Sequence, residues 1–167
     1  MNEEKNIREL HYRFCIDSYA ERNVRPATIK GYKSGLDQFL KHACIENINE
    51  INSDKLRSFL CDGRIEKGWT PETFRFYYIA LKPFFLWCIR RGYIENNPLE
   101  EIEMPRRGKK LPKRITKEEA MRLLEYSFNI RYTYRFERYR NRAIIATFIY
   151  TGIRSQELLN LKLGDVD

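Results

Sequence analysis

Apolar residues recur at helical spacing through the first hundred positions. Ile7, Leu10 and Phe14 form one stripe and predict a first helix over residues 3–21. Ile29, Tyr32, Leu36, Phe39, Leu40 and Ala43 follow the 3,4 spacing of a second buried face. That helix is predicted to open at Pro26, whose missing N–H would be unpaired at the first helical position anyway. Leu56, Phe59 and Leu60 make a third stripe, with Asn52 placed to cap it. The fourth helix has the strongest start signal, Thr70 followed by Pro71. Phe74, Tyr77, Tyr78, Leu81, Phe84, Phe85 and Cys88 then line a wide apolar face. Arg90 and Arg91 complement its negative end, and Gly92 suits a left-handed stop. No internal repeat and no strand-like alternation interrupts this half. The pattern predicts a mainly α chain beginning with a four-helix bundle that ends near Pro98.

The second half reads differently. Thr116-Lys117-Glu118-Glu119 is a capping box, in which the threonine and the second glutamate satisfy each other's backbone N–H groups. It predicts a short helix with Leu123 and Leu124 inward. Residues 143–150 (AIIATFIY) are almost all apolar, which predicts burial on nearly all sides as a central strand or a core helix. The arginines upstream and Thr151-Gly152 downstream favour a helix closed by Gly152. Another short helix is predicted to begin close to Arg154.

Charge divides the chain more sharply than hydropathy does. The net charge is +8, but residues 1–104 carry sixteen basic and sixteen acidic groups. Residues 105–142 carry thirteen basic and four acidic groups. This stretch opens with Pro105-Arg106-Arg107-Gly108-Lys109-Lys110-Leu111-Pro112-Lys113-Arg114. Prolines and glycine disfavour a helix there, and like charges extend the chain. Residues 105–115 are therefore predicted to be a linker, between a domain over 1–104 and another over 116–167. Its charges either keep it solvated or engage a polyanion. A second basic cluster, Arg131 to Arg142, interleaves with Tyr132, Tyr134, Phe136 and Tyr139. It suits phosphate pairing, or else an ordinary helix face with aromatic packing.

Composition and cysteine usage narrow the class. With 43% hydrophobic residues and 23 aromatics the chain has material for a core, which excludes wholesale disorder. No apolar run approaches the roughly 20 residues a membrane span needs. The opening MNEEKNIREL is acidic and polar, unlike a secretory signal. A cytoplasmic protein with no membrane partner is expected. Cys15, Cys44, Cys61 and Cys88 form no CxxC pair, and His11 and His42 are the only histidines. No metal site is expected, and the cysteines are predicted to be reduced core or near-core thiols.

Arg154 is the candidate for chemistry. It follows a glycine turn at the start of a helix, near positive helix-end N–H groups, a poor place for a cation unless an anion accompanies it. Glu157 supplies one candidate anion; a bound phosphate is the other.

Residues 151–161 (TGIRSQELLNL), followed by Gly164-Asp165-Val166-Asp167, resemble the first catalytic box of tyrosine recombinases, the phage-integrase family, which reads roughly TGLRxSELxxLxxxDI. Pro26-Ala27-Thr28-Ile29 with Tyr32 and Phe39-Leu40 resembles that family's SAM-like core-binding domain. So do Thr70-Pro71-Glu72-Thr73, the Gly92-Tyr93-Ile94 turn and Asn97-Pro98. Residues 111–119 (LPKRITKEE) resemble the start of its catalytic domain. Gln156 departs from the usual Ser or Gly.

The resemblance implies a SAM-like bundle, a basic linker and the opening helices of a catalytic domain. It implies that Arg154 contacts a scissile phosphate of double-stranded DNA and that Glu157 orients it. A planar guanidinium binds two non-bridging oxygens at once as they gather charge. The family's second and fourth helices face DNA, which here present Thr28, Lys30, Lys33, Thr73, Arg75 and Lys82. The linker residues Arg106, Arg107, Lys109, Lys110, Lys113 and Arg114 resemble an interdomain strap around the duplex. A complete relative cuts one strand through a 3′-phosphotyrosine and needs no cofactor, because the covalent link retains the bond energy. Other recombinase protomers would be its partners in a synaptic complex.

The family's lysine, HxxR box and C-terminal nucleophilic tyrosine have no counterpart here. His11 and His42 lie outside any HxxR context, and all eleven tyrosines precede Arg154. The chain accordingly reads as the N-terminal portion of a tyrosine recombinase, inactive alone. Two alternatives are a non-catalytic DNA-binding regulator derived from a truncated recombinase and, less directly, a helical protein-interaction module.

Overall fold

The computed structural model describes residues 5–108 and 114–165. It divides into two compact units, Met1–Lys109 and Lys110–Asp167. The described secondary structure is helical, as the apolar spacing predicts. The helices are α1 (Ile7–Ala20), α2 (Pro26–Ala43), α3 (Ser53–Ile65), α4 (Pro71–Arg90), α5 (Lys117–Asn129), α6 (Arg135–Thr151) and α7 (Ser155–Leu159). Among the described residues no helix is long and apolar enough to cross a membrane.

Helix α1 starts at Ile7 rather than at residue 3, because Asn6 caps it. The Asn6 side chain accepts the N–H groups of Arg8 and Glu9 at 2.9 and 3.3 Å. Asn6 also forms an antiparallel bridge with Asn47, which ties the chain's start to the turn before α3. The other predicted caps are present. Asn52 accepts from the Lys55 N–H at 2.9 Å and Thr70 from Thr73 at 3.2 Å. Gly92 takes φ 71°, the left-handed conformation that ends α4. Helix α4 runs through Pro83 without ending. Pro83 removes one N–H from the ladder, but the buried Phe84 and Phe85 beside it anchor the helix to the core. Arg91, at the end of α4, also pairs with Asp17 at 2.9 Å.

The first unit closes around a dense core. Phe14, Phe39, Phe59, Phe84 and Phe85 are fully enclosed, with Leu56, Leu60 and Leu81 between them. Trp69 stacks on Tyr77 with centroids 4.4 Å apart. The bundle extends past Pro98: Leu99 and Ile102 are buried, and the Tyr78 hydroxyl donates to the Leu99 carbonyl at 3.3 Å. The cysteines separate. Cys15 and Cys88 are buried thiols, with burial pushing Cys88 up to about 12, whereas Cys44 and Cys61 are exposed. Cys44 sits outside the helix, at the left-handed cap of α2. The near-core assignment therefore fails for these two.

The second unit packs α5 against α6. The Thr116 capping box is formed, with Thr116 N–H donating to Glu119 at 2.8 Å and Glu119 N–H to Thr116 Oγ1 at 3.2 Å. Only Leu124 of the predicted leucine pair is buried; Leu123 is 42% exposed. Residues 143–150 are helical, within α6. They are not enclosed, however: Ile144 to Ile149 are half-buried and Tyr150 is exposed. A continuous apolar run predicts complete burial only if partners meet every side, and α6 packs chiefly along α5.

Candidate nucleic-acid interface

Glycines bring α2 and α4 together. Gly31 and Gly35 lie one turn apart on α2, opposite Phe76 and Ala80 on α4. A Cβ at position 35 would come 2.7 Å from the Ala80 Cβ, and one at position 31 would sit 3.8 Å from the Phe76 ring. Close approach at Gly35 thus fixes the two helices whose polar faces carry the predicted DNA contacts.

Those contacts divide into free and engaged groups. Thr28, Lys30, Lys33 and Lys82 are exposed. The Lys82 ammonium lies 5.9 Å from the Tyr78 ring centroid. Lys33 borders a cleft of about 180 Å³ with Arg8, His11 and Asp37. Arg8 is paired there with Asp37 at 2.8 Å. Buried behind it, His11 is pushed down to about 4, because burial penalises its charged form; the nearby Asp37 carboxylate opposes this and Lys33 adds to it. Thr73 is half-buried, and its hydroxyl lies 3.1 Å from that of the capping Thr70. Arg75 departs from the expected solvent-facing cation. It is half-buried, its Nη1 donates to the Pro105 carbonyl at 3.2 Å, and its Nε is buried without a hydrogen-bond partner. The guanidinium ties α4 to the segment leaving the bundle.

Of the basic segment, Arg106, Arg107 and Arg114 are exposed, while Lys109, Lys110 and Lys113 lie outside the described residues. Arg106 borders a cleft of about 560 Å³ that also includes Arg57 and Arg64. These two arginines were not apparent as neighbours of the segment, since α3 carries them far away in sequence.

Arg154 stands where α6 gives way to α7. Gly152 takes φ 64° and closes α6. Thr151 steadies the turn, its hydroxyl donating to the Thr147 carbonyl at 2.6 Å and accepting the Ile153 N–H at 3.2 Å. Glu157, one turn into α7, reaches back with both oxygens. One accepts the Arg154 backbone N–H at 2.9 Å and the other its Nη1 at 3.1 Å. The predicted ion pair between Arg154 and Glu157 is thus present. That bond uses one of five N–H donors, and the arginine side chain is 84% exposed. The remaining donors are available to an anion. The guanidinium is held by a single carboxylate. Val166 and Asp167, at the end of the family-like box, lie outside the described residues.

Residues 13–92 match the family model described as phage integrase, N-terminal SAM-like domain. The chain belongs to the phage-integrase family of tyrosine recombinases. It is 30% identical over 150 residues to tyrosine recombinase XerC of Roseiflexus castenholzii, covering 88% of this chain and 46% of that protein. It is 32% identical over 154 residues to tyrosine recombinase XerD of Chlamydia trachomatis, covering 92% and 50%. The chain spans about half the length of the curated relatives it matches. Among solved structures, its fold is similar to that of a lambda integrase dimer bound to a COC′ core site, with a TM-score of 0.77, 16% identity and coverage of 99% of this chain and 44% of that one. An integrase from mycobacterium phage Brujita has a TM-score of 0.55 at 20% identity, covering 90% of this chain and 47% of that one.

Proposed function

We propose that this chain binds duplex DNA as the N-terminal part of a site-specific tyrosine recombinase. Residues 1–104 act as the core-binding domain, 105–115 as a basic strap, and 116–167 as the opening of the catalytic domain. The observation that carries this reading is the Arg154–Glu157 pair at the Gly152 turn, in a chain whose first unit matches a SAM-like integrase domain. Arg154 is the group for the scissile phosphate. Glu157 holds one guanidinium edge and leaves the rest free to stabilise charge on non-bridging oxygens. Thr28, Lys30, Lys33 and Lys82 meet the duplex from α2 and α4. Thr73 and Arg75 contribute by holding the start of α4 in place. Arg106, Arg107, Lys109, Lys110, Lys113 and Arg114 follow the phosphate backbone. The duplex and further recombinase protomers are the partners, a reading supported by the likeness in fold to a lambda integrase dimer bound to a COC′ core site.

These 167 residues hold no HxxR box, and their tyrosines all precede Arg154. Binding without strand cleavage is therefore the activity proposed for them. A suicide duplex that became covalently attached to this chain on a denaturing gel would refute that. Binding isotherms at several salt concentrations test the strap. Each phosphate neutralised contributes about 0.9 to the slope of log K against log salt, so six glutamine substitutions should flatten it by about 5. Affinity should fall about equally for specific and random DNA, because phosphate contacts carry no sequence information. An unchanged slope would assign these charges to solvation alone.

A further inference from the structure

The second basic cluster folds into something narrower than its sequence suggests. Phe128, near the end of α5, faces two arginines that lie one turn apart on α6. The Arg142 guanidinium carbon is 4.8 Å from the Phe128 ring centroid, and that of Arg138 is 5.4 Å. Tyr139 meets the same ring edge-on at 5.9 Å. Two cations thus converge on one aromatic side chain.

No carboxylate accounts for that convergence. Among the described residues, none lies within 4.0 Å of either guanidinium. Glu137, the nearest acid in sequence, turns to Arg140 at 4.0 Å and to the Tyr134 N–H at 3.3 Å. The Arg138 Nε is buried with no hydrogen-bond partner. The ring faces attract both cations, and the carbonyl end of α5 adds partial negative charge. Neither supplies the in-plane acceptors that a guanidinium edge needs. Two like charges on one partly desolvated ring also repel each other, and a shared anion removes that repulsion. Arg135 continues the row one turn earlier on α6 and is exposed, so the cations extend over about 10 Å of helix.

We propose that Arg138 and Arg142, seated on Phe128, form a clamp for the phosphodiester backbone of duplex DNA, separate from Arg154. This rests on the DNA-binding reading above and names a contact surface which that reading does not include. The aromatic ring preorganises the two planar groups, so little side-chain entropy is lost when a phosphate arrives. The clamp reads no bases.

The test uses the full chain and a labelled random-sequence duplex. Arg138→Gln with Arg142→Gln should flatten the salt slope by about 1.8, two phosphates' worth, and leave the helical circular dichroism unchanged. Arg138→Lys with Arg142→Lys should keep most of the slope. Arginine-specific chemical modification of the unaltered chain, read by mass spectrometry, gives an answer that no variant's folding can affect. Duplex should protect Arg138 and Arg142. Equal modification with and without duplex, or an unchanged slope in a folded double-glutamine variant, overturns the clamp alone. If the unaltered chain binds no duplex, the DNA-binding reading falls with it.

Discussion

The two units use the same kind of helix and reach different degrees of closure. In the first, four amphipathic helices and the segment through Ile102 enclose five phenylalanines completely. In the second, only Ala120, Leu124 and Ser127 are buried on α5, and α6 has no buried residue. Yet α6 carries an apolar run of its own over residues 143–150, broken only by Thr147. An apolar run alone therefore does not decide how far a unit closes. What decides it is whether each apolar face meets a partner, since stabilisation scales with area removed from water.

The widest separation should come from a matched pair of aromatic truncations. Phe84→Ala should cost the first unit about 3–5 kcal/mol in urea unfolding, because it opens a cavity between α1 and α4. Phe148→Ala, on the half-buried face of α6, should cost about 1 kcal/mol or less. Equal losses would mean that the second unit is as tightly packed as the first.

Acid should separate the units next. Both histidines lie in the first unit, and His11 is held at about 4 against an ordinary 6.5. Between those values the unfolded chain binds a proton that the folded one excludes. The first unit's full stability is therefore present above pH 6.5 and declines as pH falls toward 4. The decline amounts to about 3 kcal/mol. His11→Gln should remove that slope, and a folded variant that kept it would assign the sensitivity to carboxylates instead. The second unit has no histidine and should show no such slope in this range.

Smaller effects sharpen the contrast at the caps. Thr70→Ala and Thr116→Ala each remove one N-cap hydrogen bond worth about 1 kcal/mol. Helix α4 should stay fully helical, because its buried face holds it. Helix α5 should lose measurable helicity, because fewer of its side chains are enclosed. Gly152→Ala, forcing a left-handed φ on an L-residue, should cost about 1 kcal/mol and increase motion at Arg154. Backbone relaxation at residues 151–157 would report it.

Much of the fold is written locally. Asn52, Thr70-Pro71, Gly92, Thr116 with Glu119, and Gly152 mark helix ends by chemistry contained within a turn, and those ends could be read directly. The Arg154–Glu157 pair spans three residues and was legible for the same reason. The start of α1 was not, because the Asn6–Asn47 bridge joins positions far apart in sequence. Arg75 likewise looked like a free cation until the Pro105 carbonyl was brought against it.

The sequence by itself determined the helical spacing, the caps, the charge segregation and the position of the arginine box, because each depends on neighbours within a few residues. Tertiary structure alone decided which apolar faces are enclosed, that Cys44 and Cys61 are surface thiols, and that Leu123 faces outward. It also decided that Phe128 gathers Arg138 and Arg142. Burial and convergence are properties of pairs of elements, and the geometry of a pair is fixed only when the helices pack.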